Sequence, residues 1–295
     1  MQSAMPLPTL HLVLLLTSLV SSHVSASLKY TRVAYGEDVP TNEMPYFVTL
    51  VTNDFLYGPA TCGGTIVAPG VVLTAAHCVV DDYRDPYLDA YVLLKNGTDT
   101  FTEVEVSEFA IPDAFYPAMQ PYKDQYFGDI ALLRINPNVT KYSIRLPTSE
   151  DDLDKAPILV GSGKGLTEGN KLSKQLEFVS VRKVGSVPDG SELVLEEDHF
   201  VAKDPQQNQD TCVGDSGGPL LIPSKHWNVS DADIVDNQSL LPSFDVQVGV
   251  VSYGEGTYKC GDNNTYGIYT DVMYWKDWIN EQIKNDTKGW TAFTT

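Results

Sequence analysis

The feature that most constrains this chain is a cadence of short apolar or alternating runs that begins near residue 45. "YFVTLV", "GTIVAPGVVLTA", "AYVLLKNG", "EVEVSEFAI", "IALLRI", "PILVGSG", "LEFVSVRKV", "SELVLEE", "VQVGVVSYG" and "YGIYTDV" fit strands broken by turn-forming residues. Pro69-Gly70 and Asn96-Gly97 mark turns, because proline fixes φ and glycine or asparagine tolerates positive φ. Strands at this spacing, without helices alternating between them, predict an all-β sandwich or barrel rather than βαβ units. Only "DVMYWKDWINEQIKN", about 271–285, has helical periodicity. Trp275, Trp278, Ile279 and Ile283 share one face there, a core-facing stripe. Leu221 to Asp245 is polar and aperiodic, and it reads as a long surface loop.

Ahead of the strands, Leu10 to Val20 is an apolar run too short to span a bilayer. "VSA", Val24 to Ala26, follows with the small residues that signal peptidase requires. Residues 1–26 therefore read as a cleaved signal peptide and the protein as secreted and extracellular. An oxidising destination turns Cys62, Cys78, Cys212 and Cys260 into two disulfides with three possible pairings. Their spacing is not that of a metal site and no HExxH is present, so no metal or other cofactor is expected. The acidic loop Asp81 to Tyr91 offers oxygens, but not in a calcium-ligand spacing. Asn96, Asn138, Asn228, Asn237, Asn263 and Asn285 stand in N-x-S/T acceptor sites, which in a secreted chain suggest a glycoprotein. With 20 Lys+Arg against 39 Asp+Glu the net charge is −19, which argues against nucleic acid or an anionic membrane as partner. A monomer is expected.

"DTCVGDSGGPL", Asp210 to Leu220, sets a serine among glycines. A serine attacks a carbonyl only with a base to take its proton, a buried carboxylate to orient that base, and donors facing the oxyanion. Beyond residue 26 the histidines are His77, His199 and His226. His226 lies in the aperiodic segment and His199 in the acidic "LEEDHF", whereas His77 ends the apolar run "VVLTAAHC". "LTAAHC" (Leu73–Cys78), "DIALL" (Asp129–Leu133) and "GDSGGPL" (Gly214–Leu220), in that order, resemble the trypsin/chymotrypsin family of serine proteases. The resemblance runs from about Val33 to the C-terminal helix.

That resemblance implies two packed antiparallel six-stranded β-barrels, about 45–145 and 146–270, with a C-terminal α-helix at about 271–285. His77 is then the general base, Asp129 its orienting carboxylate and Ser216 the nucleophile, with the N–H groups of Gly214 and Ser216 as oxyanion hole. It implies Cys62–Cys78 and Cys212–Cys260 disulfides. It also implies a propeptide, 27–32, cleaved after Arg32, so that the new amino terminus of Val33 pairs with Asp215 in a peptidase domain of 33–295. Asp210 matches the pocket base where the trypsin branch carries a carboxylate, favouring Arg or Lys at P1. The pocket walls would be Ser252, Tyr253 and Gly254, with Gly267; Tyr253 replaces the family's usual tryptophan. The implied protein is a secreted zymogen of a serine endopeptidase, acting on proteins or peptides through an acyl-enzyme and open to protein protease inhibitors. The alternative is a catalytically inactive binding or inhibitor protein of the same fold, such as a glucanase-inhibitor-like protein. Reaction with an active-site phosphonylating reagent separates the two.

Overall fold

The computed structural model describes residues 36–293, apart from 41–42, 55–57, 82–83, 97–99, 116–125, 150, 152, 164–165, 168–170, 173–174, 186–194, 207–209, 212–213, 256–265 and 286–288. The expected all-β architecture is present as two antiparallel sheets that share one apolar core.

The second sheet closes on itself. Strand Glu177–Val184 pairs with His199–Lys203 on one side and with Leu159–Gly163 on the other. Tyr266–Asp271, Val246–Glu255 and Pro219–Ile222 complete the six-stranded barrel, and Glu37–Asp38 is added outside it. The first sheet is a curled half-barrel whose end strands, Thr100–Glu105 and Thr291–Ala292, do not pair with each other. Between them lie Glu108–Ala110, Ala131–Arg134, Val71–Thr74, Gly58–Ala68, Phe47–Asp54 and Asp89–Asn96. The Pro69-Gly70 turn joins two of these as read from sequence, with Gly70 at φ 74°. Val71 to Thr74 are all buried, so this strand approaches the centre of the molecule without a wet face.

Three sequence expectations need correction. The predicted strand "SELVLEE" fails over its described part: residues 195–198 are irregular and then a turn, and the strand is His199–Lys203. The C-terminal helix is Lys276–Lys284 and starts later than expected. The Asp271 carboxylate accepts from the amides of Met273 and Tyr274, holding a turn ahead of it. The segment 221–245 is a packed excursion rather than a loose loop. Its first residues finish a strand, and Asp231 caps a short helix, Ala232–Asn237, by accepting from the Asp233 and Ile234 amides. Trp227, Ile234 and Leu241 are buried beneath it. The Asp245 carboxylate gathers Tyr46 Oη, Trp227 Nε1 and the Ser224 amide.

Candidate active site

His77 follows directly from the buried strand Val71–Thr74, in a 3₁₀ turn at Ala76–Cys78. The Cys62–Cys78 disulfide ties that turn to the neighbouring long strand. His77 Nδ1 lies 2.8 Å from Asp129 Oδ2, and its backbone N–H donates to Asp129 Oδ1 at 3.0 Å. The Asp129 side chain is fully buried, while that of His77 is 25% exposed. The Ser252 hydroxyl also donates to Asp129 Oδ2. Burial alone would raise the carboxyl pKa. The charge of His77 and the hydrogen bonds from His77 and Ser252 outweigh it and hold Asp129 below its ordinary value. An ionised carboxylate can only accept, so Nδ1 carries a proton, and in the neutral ring Nε2 then keeps its lone pair. An imidazole in that tautomer can act as a base.

Ser216 sits in a turn that needs glycine. Gly214 and Gly217 have φ values of 96° and 74°. Ser216 accepts from the Gly63 amide through its carbonyl at 2.7 Å. A Cβ at Gly217 would lie 2.1 Å from Thr74 Oγ1 and 3.1 Å from the Ala75 nitrogen. The serine turn is therefore pressed onto the segment just ahead of His77, where the two sheets meet. Asp215, fully buried, lays its carboxylate against Gly163, where an added Cβ would fall 1.7 Å from Oδ1.

Asp210 is buried in the second barrel. Burial first, then the negative charges of Asp210 and Asp215, push the Tyr269 phenol up, while the hydrogen bond with Thr211 opposes them. Gly254 and Gly267 face each other across adjacent strands, and Gly267 lies against the Tyr269 ring. The hydroxyl of Ser252, expected as a pocket wall, is bonded to Asp129. Arg32, Val33, Cys212, Cys260 and Asn263 lie outside the described residues, as does the side chain of Asn96. Asn138 and Asn228 are exposed; Asn237 and Asn285 are half-buried.

Sequence reasoning did not single out Tyr126, whose ring lies 5.7 Å from His77 and 5.6 Å from Tyr253. Its place three residues before Asp129 was the available signal. Thr270 was also missed, although its hydroxyl donates to the Asp129 carbonyl at 2.8 Å.

Fold and site together define a serine endopeptidase, a class with protein substrates. The family model named Trypsin matches residues 33–279, and the chain belongs to the trypsin family. Tryptase from Mus musculus is 30% identical over 92% of this chain and 96% of its own length. The Vitellin-degrading protease of Bombyx mori is 27% identical over 86% of each chain. Among the described residues no helix is long and apolar enough to cross a membrane.

Proposed function

We propose that this protein is a secreted endopeptidase that cleaves after Arg or Lys, with His77, Asp129 and Ser216 as its catalytic residues. His77 Nε2 takes the Ser216 hydroxyl proton as Oγ attacks the scissile carbonyl, and it returns that proton to the leaving amine. Water then repeats the sequence on the acyl-enzyme. The amides of Gly214 and Ser216 receive the oxyanion. The observation that carries this reading is the 2.8 Å contact between His77 Nδ1 and a fully buried Asp129, which selects the basic tautomer.

For specificity, the support is the buried carboxylate of Asp210, whose charge acts on Tyr269, together with Gly267, which lies against the Tyr269 ring and faces Gly254. A long cationic side chain would meet an opposite charge there, whereas an aromatic one would bring none. Residues 1–26 are assigned as signal peptide and 27–32 as propeptide, leaving 33–295 as the peptidase domain. Cleavage after Arg32 frees Val33 to pair with the buried Asp215 carboxylate, which sits next to the nucleophile.

Hydrolysis of matched peptide amides with Arg, Lys or Phe at P1 tests the proposal, on protein cleaved after Arg32 and with Ser216→Ala as control. Fast Arg and Lys cleavage, abolished by the substitution, is expected. Preference for Phe would refute the Asp210 assignment, and inactivity of correctly processed protein would refute the triad.

A further inference from the structure

A second buried Asp–His pair lies behind Asp129. Asp198 and His199 are adjacent where the strand His199–Lys203 begins, and both side chains are wholly shielded from solvent. His199 Nδ1 is 2.7 Å from Asp198 Oδ1. Asp198 Oδ2 accepts from the Gly128 amide at 2.7 Å and from Trp275 Nε1 at 2.9 Å. The Asp198 carbonyl accepts from the Asp271 amide. A carboxylate this buried is costly without such donors, and its donors come from three separate segments.

Two lines of contact lead from the pair to Asp129. Along the first, Asp198 holds the amide of Gly128, the residue immediately before Asp129, in a turn where Gly128 has φ 75°. Along the second, His199 faces Thr270 in register on the neighbouring strand, with Nε2 3.4 Å from Thr270 Oγ1. The single hydroxyl proton of Thr270 goes to the Asp129 carbonyl, which can only accept, so towards His199 the threonine is an acceptor. With Nδ1 donating to the Asp198 carboxylate, Nε2 of the neutral ring is an acceptor as well, so the 3.4 Å approach is a packing contact and the hydrogen bond to Asp129 is made by Thr270 alone. The His199 ring also packs on Tyr253, which meets Tyr126, which meets His77.

We propose that Asp198, His199 and Thr270 are positioning residues for Asp129. They fix the peptide on its N-terminal side and its own carbonyl, and so set how its carboxylate meets His77. The proposal rests on the reading of Asp129 as the carboxylate of a working triad.

The test compares activated wild type with Thr270→Val, Thr270→Ser and Asp198→Asn, with the exposed Glu197→Gln as charge control. It measures kcat and KM on a peptide amide, the downfield NMR resonance of the His77 Nδ1 proton, and the thermal midpoint. Thr270→Val removes one hydrogen bond at nearly constant shape, so kcat should fall roughly tenfold with KM within about twofold. The Nδ1 resonance should move upfield with it. Thr270→Ser should restore both, Asp198→Asn should lower kcat likewise, and Glu197→Gln should change neither.

An active wild type whose Thr270→Val variant keeps both kcat and resonance would overturn the proposal while leaving the triad intact. A kcat loss that Thr270→Ser does not rescue, with the resonance unmoved, would also overturn it, since packing alone would then explain the loss. If Asp198→Asn fails to fold, the two Thr270 variants decide. A wild type that neither cleaves nor reacts with a phosphonylating reagent would remove the triad reading, and this proposal with it.

Discussion

Gly163→Ala measures how tightly the turn carrying Ser216 is braced. A Cβ at position 163 would lie 1.7 Å from Asp215 Oδ1, 2.2 Å from Cγ and 2.7 Å from Cβ. Ordinary contact begins at 3.4 Å, so the closest approach must open by 3.4 − 1.7 = 1.7 Å. Asp215 has little room to yield. Its side chain is fully buried, and its carbonyl accepts from the Gly218 amide at 2.8 Å. On the far side Ser216 is tied to Gly63. Relief must come from moving the strand Leu159–Gly163 or the turn that holds Ser216.

Overpacking of this kind costs about 1–3 kcal/mol of stability. A displacement near 1 Å at a reacting group costs on the order of a hundredfold in rate. The assay is kcat/KM on an Arg amide, with the fraction of molecules titrated by a phosphonylating reagent and the thermal midpoint followed alongside. Gly185→Ala is the control, because a Cβ there meets nothing within 4 Å. We expect Gly163→Ala to lose about two orders of magnitude in kcat/KM and Gly185→Ala to match wild type. Activity of Gly163→Ala within about threefold of wild type would refute the bracing argument.

Three further outcomes follow from other contacts. Asp151 accepts from Arg145 at 2.7 and 2.8 Å and from the amide and hydroxyl of Thr148, both at 2.9 Å, and Arg145 chiefly holds its pKa down at about 2. A lowered folded-state pKa gives stability that is present above 3.8 and is lost as pH falls towards 2. Asp151→Asn should therefore cost about 1–2 kcal/mol at neutral pH, a figure reduced for the partly exposed Arg145, and almost nothing near pH 2, as urea unfolding would register. Replacing Cys62 and Cys78 by serine frees a crosslink across a 16-residue separation and should cost about 3 kcal/mol of stability. A loss under about 1 kcal/mol in reversible thermal unfolding would contradict that. Ser252→Ala removes a donor that favours ionised Asp129, so the Asp129 pKa should rise and kcat fall by roughly tenfold to a hundredfold. An unchanged pH–rate profile with unchanged kcat would show that hydroxyl to be dispensable.

Much of the β architecture was legible because most strands present an apolar face, and period and length report that directly. The strand at His199–Lys203 escaped because it opens with a histidine directly after an aspartate, residues that normally mark a wet surface. Here they are buried by pairing with each other, a compensation that hydropathy cannot register. The excursion through Trp227, Ile234 and Leu241 escaped similarly, since its apolar residues follow no single period and Trp227 is anchored by the Asp245 carboxylate. At the site, His77, Asp129 and Ser216 could be read from their short motifs. Ser252 and Thr270 could not be given their partners, because a hydroxyl inside a strand looks the same whether it faces solvent, a pocket or a carboxylate.

The hydrogen bonds show why neither half of the molecule can assemble the site alone. Asp129 enters from the first sheet, yet Ser252 and Thr270, two of its donors, belong to the second. Ser216 enters from the second, yet Gly63 of the first sheet holds its carbonyl, and Thr74 and Ala75 close over Gly217. Each half thus fixes the other's candidate catalytic residue. Separated, the first half would leave a carboxylate without the Ser252 donor that helps to make its burial tolerable, and the second a glycine-rich turn without its support. Docking of the halves and formation of the site are consequently one event, and a perturbation at their seam should reach activity even when each sheet keeps its own hydrogen bonds.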